Sequence, residues 1–219
     1  LNEKLGSDKV HFYPGVTYRN ILKLKGAAET ALATLTPPHD IPGKPVAGFL
    51  PRGKGSEYIR DLMTRSEAIF KDHPVNKKRI VQGKLPATGI WLFWSSDKMP
   101  ALPPFKEIYG LRAAVTTGVD LLRGLGEFAG MTILEIPGVT DGLDNNYAAQ
   151  GRGGLEALKD YDIVIIHIEA PDEAGHAGQV DKKIEAIERI DAEVLSRIRN
   201  WSQDKLRVLV MSDHPTPVK

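Results

Sequence analysis

Polar and apolar positions alternate through "KVHFYPGVTYRNILKLKG" (9–26), broken in the middle by Pro-Gly, and this pattern predicts a β-hairpin. A short helix-like "LNEKLG" precedes it. The next stretch, "LTPPHDIPGKPVAGFLPRGKG" (35–55), is too rich in proline and glycine for a helix and too long for an idle connection, so it reads as an ordered loop that carries function. From Ser56 to about Phe70, the residues Ile59, Leu62, Met63 and Ile69 recur at the spacing of one helical face. "ATGIWLFW" (87–94) then reads as a strand, with Trp91, Phe93 and Trp94 as core. The polar, proline-rich "SSDKMPALPP" (95–104) marks a boundary between a first domain, 1–100, and a second, 101–219.

The second domain has a regular beat. "RAAVTT" (112–117), "MTILEIPG" (131–138), "YDIVIIHIEA" (161–170) and "RVLVMSD" (207–213) read as strands. Between them lie helices over "GVDLLRGLGEFAG" (118–130), "NYAAQGRGGLEALKD" (146–160) and a long stretch from about Gln179 to Ser202. Strand and helix alternate as βαβ units do, and runs such as "IVII" and "VLVM" suit a sheet covered by helices on both faces. In the long helix Val180, Ile184, Ile187, Val194 and Ile198 form the stripe expected to face the sheet. The fold class is therefore α/β, with an α+β domain ahead of it.

Composition narrows the function classes. The 219 residues are 42% hydrophobic and 26% charged, with a net charge of +1 spread along the chain, so no basic stripe argues for nucleic acid or an anionic membrane. No apolar stretch approaches the roughly 20 residues of a membrane span, and no signal segment opens the chain. A cytoplasmic protein is expected. Cysteine is absent, which excludes disulfides, thiolate metal sites and a cysteine nucleophile, and leaves any metal to oxygen and imidazole. The chain opens at Leu1 without methionine and stops soon after its last apolar run, so it reads as a fragment of something longer.

The candidate chemistry lies at strand ends. "HIEAPDEAGH" (167–176) follows the apolar "YDIVII", and Asp172 and His176, four apart, would share one face of a helical turn. Asp213 and His214 follow "RVLVMS" where the chain leaves its strand. Either pair alone is more ordinarily a turn carboxylate beside a surface histidine. At the ends of two strands joined by a crossover helix, both would meet in the crevice where open α/β sheets bind ligands. Carboxylate plus imidazole suits manganese, zinc or magnesium at a catalytic site, and two such ions can polarise a transferring phosphoryl group.

Several of these segments carry a resemblance. "HIEAPDEAGHAGQVDKKIEAIERID" and "VLVMSDHPTP", with "TPPHDIPGKP", "DHPVNKKR", "FKEIYGL" and "EIPGVTDGLDNNY" in the same order, resemble the archaeal-type cofactor-independent phosphoglycerate mutases, metalloenzymes of the alkaline phosphatase superfamily. The resemblance implies part of an alkaline-phosphatase-like sheet, interrupted by an inserted domain (1–100) that grips a small phosphorylated hydroxy acid. It implies that Asp172 and His176 bind one divalent ion and Asp213 and His214 another, and that 3-phosphoglycerate becomes 2-phosphoglycerate through a phosphoserine, without 2,3-bisphosphoglycerate. It also makes Lys106 a phosphate-contacting lysine, Asp40 the group that manages the glycerate hydroxyl protons, and Arg19, His39 and Arg52 partners of the substrate's charged ends. Segments that carry the family's nucleophilic serine and a further histidine ligand have no counterpart here, so the chain alone is expected to be inactive. A phosphatase, a phosphonopyruvate decarboxylase or another phosphoester hydrolase on the same metal site, and a non-catalytic binding module, stay open, as does the oligomeric state.

Other features read as structural. "RGKGSE" (52–57) looks like the start of a helix capped by Ser56. Asp72-His73 reads as a capping turn, "GRGG" (151–154) as close packing, and His11 and His167 as satisfied strand histidines.

Overall fold

The computed structural model describes residues 1–15, 20–98, 101–202 and 205–218. These fall into two compact units, Leu1–Pro100 and Ala101–Lys219.

In the first unit, helix α1 (Asn2–Leu5) leads into the antiparallel pair β1 (Val10–Pro14) and β2 (Asn20–Leu24), with Phe12 opposite Leu22. The alternation places Val10 and Phe12 inward, where they pack with Leu5 and with Leu62 of helix α2 (Ser56–Lys71). Ile59, Leu62 and Met63 are the buried face of α2, as their spacing predicts. Ser56 is not its cap: Gly55 takes that place at φ 79°, and a Cβ there would lie 2.2 Å from the carbonyl oxygen of Glu29, so only glycine fits the turn. Helix α3 (Pro74–Val81) begins at His73, whose ring nitrogen accepts a hydrogen bond from Val75 N, the capping turn that the sequence suggests.

The expected strand 87–94 does not form. The segment is instead held extended by side chains: Ser66 Oγ accepts from Ile90 N at 2.9 Å, buried Asn76 exchanges hydrogen bonds with Ala87 N and O, and Trp91 Nε1 donates to Thr36 O. These bonds satisfy the backbone that a ladder would otherwise have to pair. Ile90, Trp91 and Leu92 pack on α2, but Trp94 is 73% exposed and is not core.

The second unit starts with α4 (Phe105–Tyr109) and is built on a three-stranded parallel sheet. Its strands are β3 (Ala113–Thr116), β4 (Thr132–Ile133) and β5 (Ile163–Ile166), in the order β4-β3-β5. Helix α5 (Asp120–Phe128) joins β3 to β4, and α6 (Tyr147–Ala157) joins β4 to β5. A Cβ on Gly126 of α5 would meet Val115 and Ile133, and one on Gly154 of α6 would meet Val164 and Ile166. Val115 and Val164 belong to opposite faces of the pleat, because Val115 pairs with Ile165, so the two helices cover opposite faces of the sheet. Gly151 and Gly154 permit the close packing read from "GRGG".

After β5 come α7 (Ala170–His176), α8 (Val180–Arg189), a π-helical stretch Ile190–Leu195 and α9 (Ser196–Arg199), so the long helix runs nearly as expected. Its buried side differs from the predicted stripe. Ala186, Ile190, Val194 and Ile198 pack with Tyr147 and Ala170, whereas Val180, Ile184 and Ile187 are about half exposed. The contacts are mainly with α6 and α7, with Ile166 at the end of β5 in the same cluster, which turns the interface toward the small Ala186. The expected strand at 207–213 also does not form: Val208, Leu209, Val210 and Met211 are exposed. An apolar run becomes a strand only when an edge pairs with it, and none is joined to this one among the described residues.

Candidate metal centre at the strand ends

The chain leaves β3 toward β4 on one side and returns to β5 on the other, so the carboxyl ends of β3 and β5 flank a topological switch. The parallel ladder ends at the pair Thr116 and Ile166. Directly beyond it, Thr117 Oγ1 and His167 Nδ1 are 2.9 Å apart, and His167 Nε2 lies 3.3 Å from Glu169 Oε2. Thr117, His167 and Glu169 are largely buried. Burial holds the His167 imidazole below its ordinary pKa, against the pull of Asp213 and Asp172, and pushes the Glu169 carboxyl up, helped by Asp172 and Glu173.

Helix α7 starts at once after this pair, and its pitch sets Asp172 and His176 on one face, with His176 Nε2 3.4 Å from Asp172 Oδ2. The segment after Met211 arrives at the same carboxylate. His214 Nε2 is 3.9 Å from Asp172 Oδ1 and 3.6 Å from Asp213 Oδ2. Thr216 locks this approach, because its hydroxyl donates to Asp172 Oδ1 and its carbonyl oxygen accepts from Lys183 Nζ. A Cβ on Gly175 would lie 2.9 Å from that carbonyl, so the glycine in "DEAGH" admits the segment.

Asp172, His176, Asp213 and His214, expected from sequence to be ligands, are thus brought together although Asp213 and His214 do not end a strand. Asp172 is half-buried, and the other three are solvent-facing. Two donors sharing a cation at about 2.1 Å each stand roughly 3.0–3.4 Å apart, close to these separations before any ion draws them in. The carboxylates of Glu169, Asp172 and Glu173 also offer oxygens within 4.8 Å of one another. Such crowding of negative charge favours a cation, and the oxygen and imidazole donor set fits a divalent one. The set that includes the two imidazoles is the more selective for a transition ion or zinc.

The remaining predicted residues are elsewhere. His39 and Asp40 sit on a 3-10 turn, Pro38–Asp40, both exposed, with their charged atoms 4.0 Å apart and the His39 ring edge-on to Phe93 and Trp94. Arg52 bridges to Thr34 through its backbone and donates to Gly48 O. Arg19 lies outside the described residues. Lys106, on α4, is near enough to Asp162 to help lower its pKa, after the dominant hydrogen bonds from Arg112. Arg112 and Asp162 precede β3 and β5, so Lys106 is at the amino ends of the strands, the wrong end of the sheet to join the cluster.

Thr117, His167, Glu169 and Thr216 were not singled out by the sequence reading as site residues. The signal for His167 is its place as the first residue past an apolar strand; read as a strand residue, it looks structural.

The chain belongs to the metalloenzyme superfamily, whose family profile matches residues 20–219. Among its relatives, the 2,3-bisphosphoglycerate-independent phosphoglycerate mutase of Methanothrix thermoacetophila is 47% identical over 94% of this chain and 53% of its own length. The enzyme named 2,3-bisphosphoglycerate-independent phosphoglycerate mutase 2 in Methanothermobacter thermautotrophicus is 46% identical over 100% of this chain and 54% of its own. The chain spans about half the length of these curated relatives. The solved cofactor-independent phosphoglycerate mutase from Thermoplasma acidophilum shares the fold, with a TM-score of 0.50 at 24% identity over 90% of this chain and 52% of that one. The α/β expectation therefore holds: the fold is alkaline-phosphatase-like, a parallel sheet with helices.

Proposed function

We propose that this chain supplies the substrate-gripping unit and part of the metal-binding unit of a cofactor-independent phosphoglycerate mutase, a cytoplasmic isomerase of 3-phosphoglycerate and 2-phosphoglycerate. The observation that carries the reading is the approach of His176 and His214 to the half-buried carboxylate of Asp172, with Asp213 beside His214. Asp172 and His176 would hold one divalent ion, manganese, magnesium or zinc, and Asp213 and His214 a second. When bound, such ions would neutralise phosphoryl oxygens and activate a serine hydroxyl brought to the site.

The chain's own residues do the rest. Asp172, held by Thr216, orients its two oxygens toward different imidazoles, while Glu169 adds negative charge beneath them. In the first unit, Asp40 would carry protons to and from the glycerate hydroxyls, and Arg19, His39 and Arg52 would grip the carboxylate and phosphate. Lys106 has no part in this reading because of its place at the amino ends of the strands.

The test is the full-length protein supplied with manganese and 3-phosphoglycerate. Formation of 2-phosphoglycerate without added 2,3-bisphosphoglycerate, abolished by Asp172→Asn, is expected. Release of inorganic phosphate without isomerisation would replace the mutase reading with a phosphatase. The 219-residue chain alone should show no turnover.

A further inference from the structure

We propose that Asn145 and Gln150 are positioning residues: a buried amide brace that sets the spacing between the carboxyl ends of β3 and β5 and so places the turn bearing Asp172. The proposal rests on the metal reading given above.

Both side chains are withdrawn from water, Gln150 at 0% and Asn145 at 1% exposure. Gln150 Nε2 donates to His167 O at 2.9 Å and to Thr116 O at 3.4 Å, while its Oε1 accepts from Asn145 Nδ2 at 2.8 Å. Asn145 Oδ1 accepts in turn from Thr140 N at 3.1 Å. One amide therefore spans the last rung of the sheet, where His167 N also donates to Thr116 O at 2.9 Å. The next residues outward are Thr117 and His167, and then Glu169, whose carbonyl accepts from Asp172 N at 2.7 Å.

The brace reaches a third segment as well. Thr140 belongs to the loop "PGVTDGLDNNY", and its backbone lies so near Gly118, after β3, that a Cβ there would be 2.2 Å from the Thr140 carbonyl carbon. Two strand ends and one loop thus share a pair of amides whose relay atoms are matched. Filling the space alone would favour an apolar side chain, since burying an amide costs free energy unless its donors and acceptor are paired. The paired geometry is what fixes the distance between the strand ends.

The experiment compares wild type, Gln150→Met, Gln150→Glu and Asp172→Asn in the full-length protein, measuring Mn²⁺ affinity by calorimetry, folding by circular dichroism, and kcat and KM. Gln150→Met keeps the volume and removes the donors. It is expected to fold, to bind Mn²⁺ about tenfold or more weakly, and to lower kcat while KM for phosphoglycerate holds. Gln150→Glu keeps the acceptor for Asn145 but turns an oxygen on two carbonyls. Its Mn²⁺ affinity relative to wild type should recover as pH falls and the carboxyl regains a proton to donate; this also covers the case in which Gln150→Met fails to fold. Wild-type affinity in a folded Gln150→Met, or a Gln150→Glu to wild-type ratio that ignores pH, overturns the brace. If Asp172→Asn also binds Mn²⁺ as wild type does, the metal reading itself has failed, and the brace with it.

Discussion

Thr117 Oγ1 sits 2.9 Å from His167 Nδ1, joining side chains fifty positions apart at the carboxyl ends of two neighbouring strands. The same hydroxyl accepts from Val119 N at 3.1 Å, so one small side chain fixes both the imidazole and the turn into α5. Thr117→Val keeps the shape and removes both bonds. A loss of about 1–2 kcal/mol in urea unfolding is expected, with the far-ultraviolet spectrum unchanged.

The depressed pKa of His167 predicts a pH dependence. Its unfolded imidazole takes a proton near pH 6.5, before the folded one does. Its contribution is thus intact above that pH and is lost as pH falls through the folded pKa. In the presence of chelator, stability should decline below about pH 6.5, and the decline should be shallower in His167→Gln. An equal slope in both proteins would mean that another group dominates.

Metal removal should be felt mainly at α7 and the 213–216 segment. A divalent ion held by this site would bind only the folded state, so saturating manganese is expected to raise the midpoint of thermal unfolding and a chelator to reverse it. His214→Ala, which leaves the half-buried Asp172 with fewer partners, should lessen the rise. Scanning calorimetry of the full-length protein at fixed ion concentration reads this out.

Two glycines near α5 should respond in opposite directions. Gly118→Ala would drive its Cβ into the backbone of Thr140 and is expected to cost about 2–3 kcal/mol. Gly124, within α5, has nothing within 4 Å of its Cβ position, and Gly124→Ala should stabilise by about 0.5–1 kcal/mol. Chemical denaturation of the two variants checks both signs.

In the first unit, Asn76→Ala should destabilise by about 2–3 kcal/mol, because it strips Ala87 N and O and Phe70 O of their buried partner. Hydrogen exchange should show the loss concentrated at 86–92, the segment that Asn76 and Ser66 hold in place of a strand.

What could be read from the linear order was whatever depends on neighbours along the chain. Periodicity alone marked the α2 face of Ile59, Leu62 and Met63, the hairpin, and the alternation from β3 to the long helix, because those patterns follow from helical pitch and pleat. Asp172 and His176 were legible for the same reason: four positions make one turn. Tertiary structure decided the rest. Whether "ATGIWLFW" and "RVLVMS" become strands depends on a distant edge to pair with, and which stripe of the long helix is buried depends on where α6 and α7 stand. The polar network of Thr117, His167, Asn145 and Gln150 was invisible in sequence. Its members are uncharged or ordinary where they occur, and acquire a role only when the crossover brings two strand ends together out of reach of water.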